Sequence, residues 1–189
     1  MSFRPATLAI VATLAHAASG CLTAGDPVVN RSYGGSHLPE PTLGSMRNVS
    51  VCDAVWTGSH PTPDDLELAD RRGIATAIDL TSPDEWPGYD AAAVCEDLGI
   101  DYVRVEVSGD APIPDGVVDR ALVELRRHDH GSILLFSGSG DRAAMLLAIW
   151  RVVDGAVGVD QAIEEARRCG MKPGAPVQFV RIQIARLSA

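Results

Sequence analysis

From Val49 to the end of the 189-residue chain, segments typical of strands alternate with segments typical of helices. Short aliphatic runs are separated by longer stretches in which apolar residues recur at helical spacing. Because the connections are short, successive strands must lie parallel, with the helices crossing between them. The sequence therefore predicts an α/β domain over residues 49–189, with a mainly parallel sheet of four to five strands and helices on both faces.

Local signals support the individual elements. Thr62 can cap a helix that Pro63 opens and Gly73 ends. The run SILLF, residues 132–136, is the most apolar strand, so we expect it at the centre of the sheet. The stretch VSVCDAVW, residues 49–56, is predicted as one edge strand. Further strands are predicted at 74–80 and 100–107, and further helices at 91–98, 117–128, 142–154, 160–169 and 176–187.

The start of the chain has the features of an export signal. A single early charge, Arg4, precedes an apolar stretch over residues 6–15 and then small residues up to Cys21. This stretch is short for a transmembrane helix. The ending AASGC resembles the lipobox of bacterial lipoproteins, so we expect a signal peptide over 1–20 and a lipid anchor at Cys21. Cleavage without lipidation is the alternative. Residues 21–48, rich in Gly, Pro, Ser and Asn, are predicted as a flexible tether.

Charge and cysteine content limit the partners. The net charge of −9 argues against nucleic acid as a partner and leaves the lipid anchor as the expected membrane contact. Cys52, Cys95 and Cys169 lack metal-ligand spacing and are expected to pack as small apolar residues, with one disulfide at most. No metal site or cofactor is predicted, and the sequence does not indicate a protein partner.

A glycine-rich loop follows the predicted central strand. In the stretch LLFSGSGDR, residues 134–142, two glycines allow successive amide N–H groups to converge, and the next helix adds the positive end of its dipole. Arg142 offers a planar fork for two oxygens of phosphate or sulfate. In such sheets, ligands bind at the carboxyl ends of the strands. We therefore predict an anion-binding loop that comprises Ser137, Gly138, Ser139, Gly140, Asp141 and Arg142.

Residues from about 51 to 173 resemble the cysteine-dependent superfamily of tyrosine and dual-specificity phosphatases. The nearest group is the compact bacterial one often described as beta-lactamase-hydrolase-like, whose loop typically reads His-Cys-x-Ser-Gly-Asn-Arg. Here residues 136–142 read Phe-Ser-Gly-Ser-Gly-Asp-Arg. The resemblance extends to TGSHPTPDDLELADRRGIATAIDL, AAAVCEDLGIDYVRVEV and AIEEARRCGM. It implies a phosphatase fold and a phosphate-like or phosphorylated ligand.

Three positions of the loop depart from that pattern. Ser137 stands at the place of the catalytic cysteine, Phe136 at that of the histidine and Asp141 at that of the asparagine. In the superfamily, a thiolate attacks phosphorus, the arginine holds the phosphoryl oxygens and an aspartate protonates the leaving group. A serine hydroxyl is far less acidic than a thiol and needs a neighbouring base. The three changes together predict an inactive pseudophosphatase that keeps the anion-binding loop.

No histidine is predicted to act as that base. His128 and His130 precede the central strand, at the opposite end of the sheet from Ser137. His60 could approach from another loop, but a turn position before Pro61 explains it better.

Asp110, in the loop SGDAPIPDG, is the candidate general acid. Its rival Asp115 is better explained by the first turn of a helix. Trp86, in DEWPG, is expected to pack at the rim of the site.

Two other functions remain open. The chain could be an active phosphatase or another hydrolase that uses Ser137 or an activated water. It could instead be a structural or interaction module in which the loop only caps a helix, with Ser139 or Asp141 as N-cap. In that case Arg142 would be paired with Asp141 or Asp110.

Overall fold

A computed structural model of the chain describes residues 22–23, 41–85, 88–107, 113–127 and 131–189. These residues form a six-stranded mixed sheet with helices on both faces, which confirms the predicted α/β class. The strands are β1 (Leu22–Thr23), β2 (Ser50–Cys52), β3 (Val55–Ser59), β4 (Ile74–Asp79), β5 (Asp101–Arg104) and β6 (Ser132–Ser137). The helices are α1 (Pro63–Arg71), α2 (Ala91–Leu98), α3 (Asp115–Leu125), α4 (Asp141–Val153), α5 (Val159–Arg168) and α6 (Ala175–Leu187).

The strand order is β1-β2-β3-β6-β4-β5. The last four strands in this order pair in parallel, and the first three pair antiparallel. The strand β6 lies between β3 and β4, so the prediction that SILLF is central is confirmed. The loop that follows β6 therefore lies at the carboxyl edge of the parallel strands.

The prediction of one edge strand over residues 49–56 is wrong. The chain turns back after Cys52, and β2 and β3 form a tight antiparallel hairpin. Asp53 turns the chain in the left-handed region, with φ of 54°, which a short polar side chain tolerates better than a bulky one. The hairpin lengthens the sheet beyond the predicted four to five strands and makes β3 an interior strand.

Alternate residues of β6 contact two separate hydrophobic cores. Ile133 and Leu135 pack with α3, α4, α5 and α6, whereas Leu134 and Phe136 pack with α1 and α2. This follows from the two-residue period of a strand, which sends successive side chains to opposite faces. Because both faces are covered, the whole strand can be apolar.

The ordered fold includes residues that the sequence assigned to a flexible tether. Leu43 and Met46 are buried, and Ser45 donates hydrogen bonds from its N–H and its hydroxyl to the Asp65 carboxylate at 2.7 and 2.8 Å. The two residues of β1 also pair with β2. The predicted tether boundary at residue 48 is therefore wrong for residues 41–48. The predicted signal peptide, residues 1–20, lies outside the described residues.

The described cysteines differ in state. Cys52 is disulfide-bonded, so the expectation that it packs as a free thiol is wrong. Cys95 and Cys169 are buried thiols outside any disulfide, as predicted. Burial, together with the charge of Asp79, raises the pKa of the Cys95 thiol to about 11, so this thiol is inert near neutral pH. Within the described segments, no helix is both long and apolar enough to cross a membrane.

Candidate functional site

The loop between β6 and α4 is built on glycine. Gly140 is the N-cap of α4, with φ of 90° and no side-chain cap, so neither Ser139 nor Asp141 has that role. A Cβ atom on Gly140 would lie 3.2 Å from the carbonyl carbon of Gly58 in β3. Glycine is therefore required here for two reasons: the left-handed backbone, and the close approach of this loop to the backbone of β3 at Gly58.

Two residues from outside the loop hold its carbonyl groups. The Asn48 side-chain amide donates to the Ser139 oxygen at 2.9 Å, and the His60 backbone N–H donates to the Gly138 oxygen at 3.5 Å. Asn48 belongs to the segment that was predicted as a tether, and sequence analysis therefore missed it.

The loop is only partly bonded to itself. The Gly140 N–H donates to both the carbonyl oxygen and the hydroxyl of Ser137, at 3.3 and 3.2 Å. Within the described part of the chain, no hydrogen-bond acceptor engages the backbone N–H groups of Gly138, Ser139 and Arg142. These groups, at the start of a 13-residue helix, remain able to bind an anion.

Among the described residues, no base contacts the Ser137 hydroxyl. The residue is fully buried, and its Oγ accepts a hydrogen bond from a backbone N–H, as above. The His60 Nδ1 atom bonds the Pro61 carbonyl oxygen at 2.7 Å, while its Nε2 atom has no hydrogen-bond partner among the described residues. Neither imidazole nitrogen therefore touches Ser137.

Phe136, which occupies the position of the histidine in the resemblance, is a core residue. It is fully buried beneath α1 and α2. Its ring packs edge-on against the His60 imidazole, with 5.2 Å between ring centroids. Phe136 therefore offers no polar group to Ser137 and packs on the opposite face of the strand.

Arg142 is paired with an acid that the sequence did not indicate. Its Nη2 atom forms an ion pair with the Glu85 carboxylate, and its Nη1 atom donates to the Val107 carbonyl oxygen at 3.3 Å. Asp141, one of the two acids proposed for this pairing, instead accepts a hydrogen bond from the Lys172 backbone N–H at 2.8 Å. The Arg142 side chain is 13% exposed, so the guanidinium is largely enclosed.

Glu85 lies against the loop. Its carboxylate accepts hydrogen bonds from the Ser82 N–H at 2.9 Å and from the Ser82 hydroxyl at 3.3 Å. A Cβ atom on Gly138 would lie 2.6 Å from the other carboxylate oxygen. The carboxylate therefore occupies space beside the loop backbone and Arg142, where an external oxyanion would have to bind.

The electrostatic surroundings of Glu85 favour its charged form. Burial alone raises its pKa, but the hydrogen bonds from Arg142 and Ser82 and the positive charge of Arg142 outweigh burial. The pKa of Glu85 is consequently below its ordinary value. At neutral pH the loop thus carries its own negatively charged ligand.

The other predicted site residues contribute less. Asp115 is the first residue of α3 and accepts a hydrogen bond from Gln183 at 2.7 Å, in agreement with a structural role. The candidate general acid Asp110 lies outside the described residues, as do Trp86, the lipidation candidate Cys21, and His128 and His130. Among the residues that are described, no His, Cys, Asp or Glu cluster could hold a metal ion.

A weak sequence signal for Glu85 did exist. The residue lies a few positions beyond β4, at the same carboxyl edge as the loop, and acidic side chains at such edges commonly face the ligand site. Its distance of 57 positions from Arg142 gave no spacing rule that could connect the two.

Comparison with solved structures identifies the fold as that of the cysteine-dependent tyrosine and dual-specificity phosphatases. A putative DUF442 phosphatase from Shewanella putrefaciens is 15% identical with a TM-score of 0.63, over 77% of this chain and 96% of that one. The core catalytic domain of the PP-IP phosphatase SIW14 from S. cerevisiae, in complex with citrate, is 22% identical with a TM-score of 0.63, over 81% and 94% of the two chains. A kinase associated phosphatase whose catalytic cysteine is substituted by serine is 15% identical with a TM-score of 0.64, over 71% and 88%. Comparisons with protein-family profiles and with curated protein sequences give no match.

Proposed function

We propose that this chain is an exported pseudophosphatase, a phosphatase-fold protein without phosphoryl-transfer activity that keeps an anion-binding loop. The main support is the buried Ser137 hydroxyl, which has no base among the described residues. A kinase associated phosphatase with serine in place of its catalytic cysteine keeps a similar fold, which supports a serine at the corresponding place of this chain.

Loss of catalysis follows from the different acidities of a thiol and a hydroxyl. Loop amides and a helix N-terminus can lower the pKa of a cysteine from about 8.5 to below neutrality. A serine hydroxyl is much less acidic, and catalytic serines therefore depend on an adjacent base. His60, whose Nδ1 atom bonds Pro61, does not supply one to Ser137.

The ligand proposed for the loop is a phosphate-like or carboxylate-bearing anion. Free backbone N–H groups at the start of α4 and the guanidinium of Arg142 are the groups that would hold it. The SIW14 domain was crystallised with citrate, and carboxylate binding by a similar fold supports this class of ligand. An incoming anion must displace Glu85 from Arg142, so we expect weak binding by the wild-type chain.

Calorimetric titration with phosphate, sulfate and vanadate tests the anion site. We expect Glu85→Gln to bind sulfate about tenfold more tightly than wild type, a difference of about 1.4 kcal/mol, because Arg142 is freed. Arg142→Ala should give no heat. Asp84→Asn, one residue away on the same turn, and Arg126→Ala, at a surface ion pair with Asp154, are the matched controls.

The ion pair between Glu85 and Arg142 also supports a second candidate, an interaction module without an anion site. Arg142 is then permanently neutralised and the loop serves only to connect β6 to α4. The same titration separates the two functions. Negligible heats for wild type, Glu85→Gln and Arg142→Ala alike would favour the interaction module and contradict the anion site.

Export is supported by the N-terminal sequence and by the disulfide at Cys52. Protein disulfides persist in oxidising compartments outside the cytosol. The chain has four cysteines, and because Cys95 and Cys169 are not in a disulfide, Cys21 is the remaining candidate partner within the chain.

A lipid thioether and a disulfide cannot share one sulfur atom. Pairing of Cys21 with Cys52 therefore favours export by simple cleavage over the lipid anchor predicted from the lipobox. The intact mass of the protein secreted by a bacterial host distinguishes the disulfide-bonded, cleaved form from the lipid-anchored form. A gain of two mass units on reduction, with no diacylglyceryl mass, indicates the disulfide, whereas a diacylglyceryl mass on the N-terminal peptide indicates the anchor.

A further inference from the structure

A cavity of about 200 Å³ lies at the carboxyl edge of the sheet, beside the start of α2. Its walls include seven residues with polar side chains, and none of them belongs to the loop 137–142: His60, Asp79, Thr81, Tyr89, Asp90, Tyr102 and Arg104. Pockets for drug-sized ligands usually measure 300 to 1,000 Å³. The cavity is therefore suited to a molecule of few heavy atoms.

Two polar atoms of the cavity walls are buried without a partner. The Arg104 Nε and the His60 Nε2 atoms make no hydrogen bond within the described part of the chain. Buried polar side-chain atoms nearly always have a partner, so two such exceptions on one cavity call for an explanation. A bound ligand that supplies a hydrogen-bond partner to each atom would explain both exceptions.

Arg104 is a cation that forms no ion pair with any described residue. Its register partner on β4 is Asp79, but no ion pair joins the two side chains. The Asp79 carboxylate instead accepts hydrogen bonds from the Tyr102 hydroxyl at 2.6 Å and from the Thr81 N–H at 2.7 Å. A guanidinium only donates hydrogen bonds, so the group that it lacks is an oxyanion.

His60 requires the opposite kind of group. Its Nδ1 atom bonds the carbonyl oxygen of Pro61, and because a carbonyl only accepts, Nδ1 carries the proton. In the neutral ring Nε2 is then an acceptor that needs a donor, such as a hydroxyl. Asp90, the other carboxylate of the cavity wall, caps α2 by accepting hydrogen bonds from Ala92 and Ala93 at 3.1 and 3.2 Å.

We propose that this cavity is a second ligand site, for a small molecule that carries both an oxyanion and a hydroxyl group. Arg104 binds the oxyanion, and the His60 Nε2 atom accepts a hydrogen bond from the hydroxyl group. Small hydroxycarboxylates and small polyol phosphates share this chemistry. The backbone N–H of His60 also donates a hydrogen bond to the Gly138 carbonyl oxygen. A ligand that binds the His60 side chain therefore contacts a residue that supports the loop.

Titration of the exported chain with tartrate and with glycerol 3-phosphate tests the proposal. Sulfate, which carries only the oxyanion, and glycerol, which carries only hydroxyl groups, serve as comparison probes. Calorimetry gives the affinity, and the nitrogen chemical shift of the His60 Nε2 atom reports contact at the cavity itself. The resonance is assigned with His60→Gln.

We expect at least one of the two bifunctional probes to shift the His60 resonance and to bind more tightly than sulfate or glycerol. Affinity should fall at least tenfold in Arg104→Gln and in His60→Gln, and should persist in Arg142→Ala, which alters only the loop. Thermal unfolding of each variant verifies that it is folded, and Arg104→Lys should bind more tightly than Arg104→Gln.

Two results would overturn the proposal. If neither bifunctional probe perturbs His60 in the wild-type chain, the cavity holds only water. If binding is lost in Arg142→Ala but persists in Arg104→Gln, the probes bind at the loop and the cavity is not a site.

Discussion

Ser137 illustrates how little separates a catalytic loop from a binding loop. Its hydroxyl is buried and accepts a hydrogen bond from Gly140, so it helps to shape the loop. The same backbone and helix end that stabilise a thiolate leave a hydroxyl neutral. In the proposed function, catalysis is lost through one atom, whereas anion binding by the loop depends on Arg142 and on the displacement of Glu85.

Glu85 should make stability depend on pH. Because its pKa in the folded chain is depressed, its ionised form stabilises the fold above the ordinary glutamate pKa of about 4.3. That contribution is lost as the pH falls through the lower folded-state value. We therefore expect the unfolding free energies of wild type and Glu85→Gln to differ at pH 7 and to converge below about pH 4.

Urea unfolding over the range from pH 3 to pH 7 measures this convergence. Asp84→Asn, which removes an exposed carboxylate of the same turn, is the control and should show no such dependence. A constant difference between wild type and Glu85→Gln across the range would show that the ion pair with Arg142 does not form in solution.

Among the elements, α1 links the N-terminal segment to the domain. Asp65 completes a capping box with Thr62 and also accepts the N–H and hydroxyl of Ser45. Burial raises the pKa of Asp65, but these hydrogen bonds together lower it below its ordinary value. The buried Asp65 carboxylate thus caps the start of α1 and also holds residues 41–48 in place. This segment includes Asn48, whose side chain bonds the loop.

Replacing Asp65 should loosen that segment. We expect Asp65→Asn to lower the free energy of unfolding by about 1–3 kcal/mol at pH 7, because buried donors lose their charged acceptor. The loss should shrink as the pH falls below about 4, where the wild-type carboxylate also begins to lose its charge. Asp64→Asn, on the exposed side of the same turn, should change the free energy by less than about 0.5 kcal/mol. Equal effects of the two substitutions would contradict the role given to Asp65.

The sequence predicted the elements that local signals define. The apolar run of β6 predicted the central strand, the capping residue Thr62 predicted the start of α1, and the two glycines predicted the loop before α4. Anion binding by that loop stays a prediction. The hairpin at Asp53 was missed because its two strands are short and together read as one apolar stretch. Glu85 and Asn48 were missed because they meet the loop only after the chain has folded.

At the scale of the whole molecule, the disulfide at Cys52 should contribute to stability. The bond closes a chain segment and limits the unfolded ensemble, and removing such a bond typically costs about 2–4 kcal/mol. We expect reductant and Cys52→Ser to lower the melting temperature to a similar extent. Cys95→Ser in the presence and absence of reductant controls for the free buried thiols. No effect of reductant on the melting temperature would contradict a structural disulfide.

The arrangement of the whole chain places both proposed sites at one edge of the sheet. The loop follows β6, and the cavity lies where β4 and β5 end, with His60 between them. This edge is where ligands bind in parallel α/β sheets, whatever the chemistry that follows. This placement is compatible with the proposed recognition of small anions at both sites.

Phe136→His combined with Ser137→Cys tests whether the scaffold still supports catalysis. The cysteine would be placed at the start of α4 among free N–H groups, which favour a thiolate. With Glu85→Gln added to free Arg142, we expect measurable hydrolysis of an aryl phosphate. This variant also serves as the positive control for the wild-type assay.

The most direct test of the central claim is the hydrolysis rate of an aryl phosphate by the wild-type chain and by Ser137→Ala. Because no base among the described residues contacts its hydroxyl, Ser137 should contribute nothing, and both proteins should match the rate in buffer alone. A wild-type rate above that background that Ser137→Ala abolishes, together with a phosphorylated Ser137 in the mass spectrum, would show that the chain is an active phosphatase.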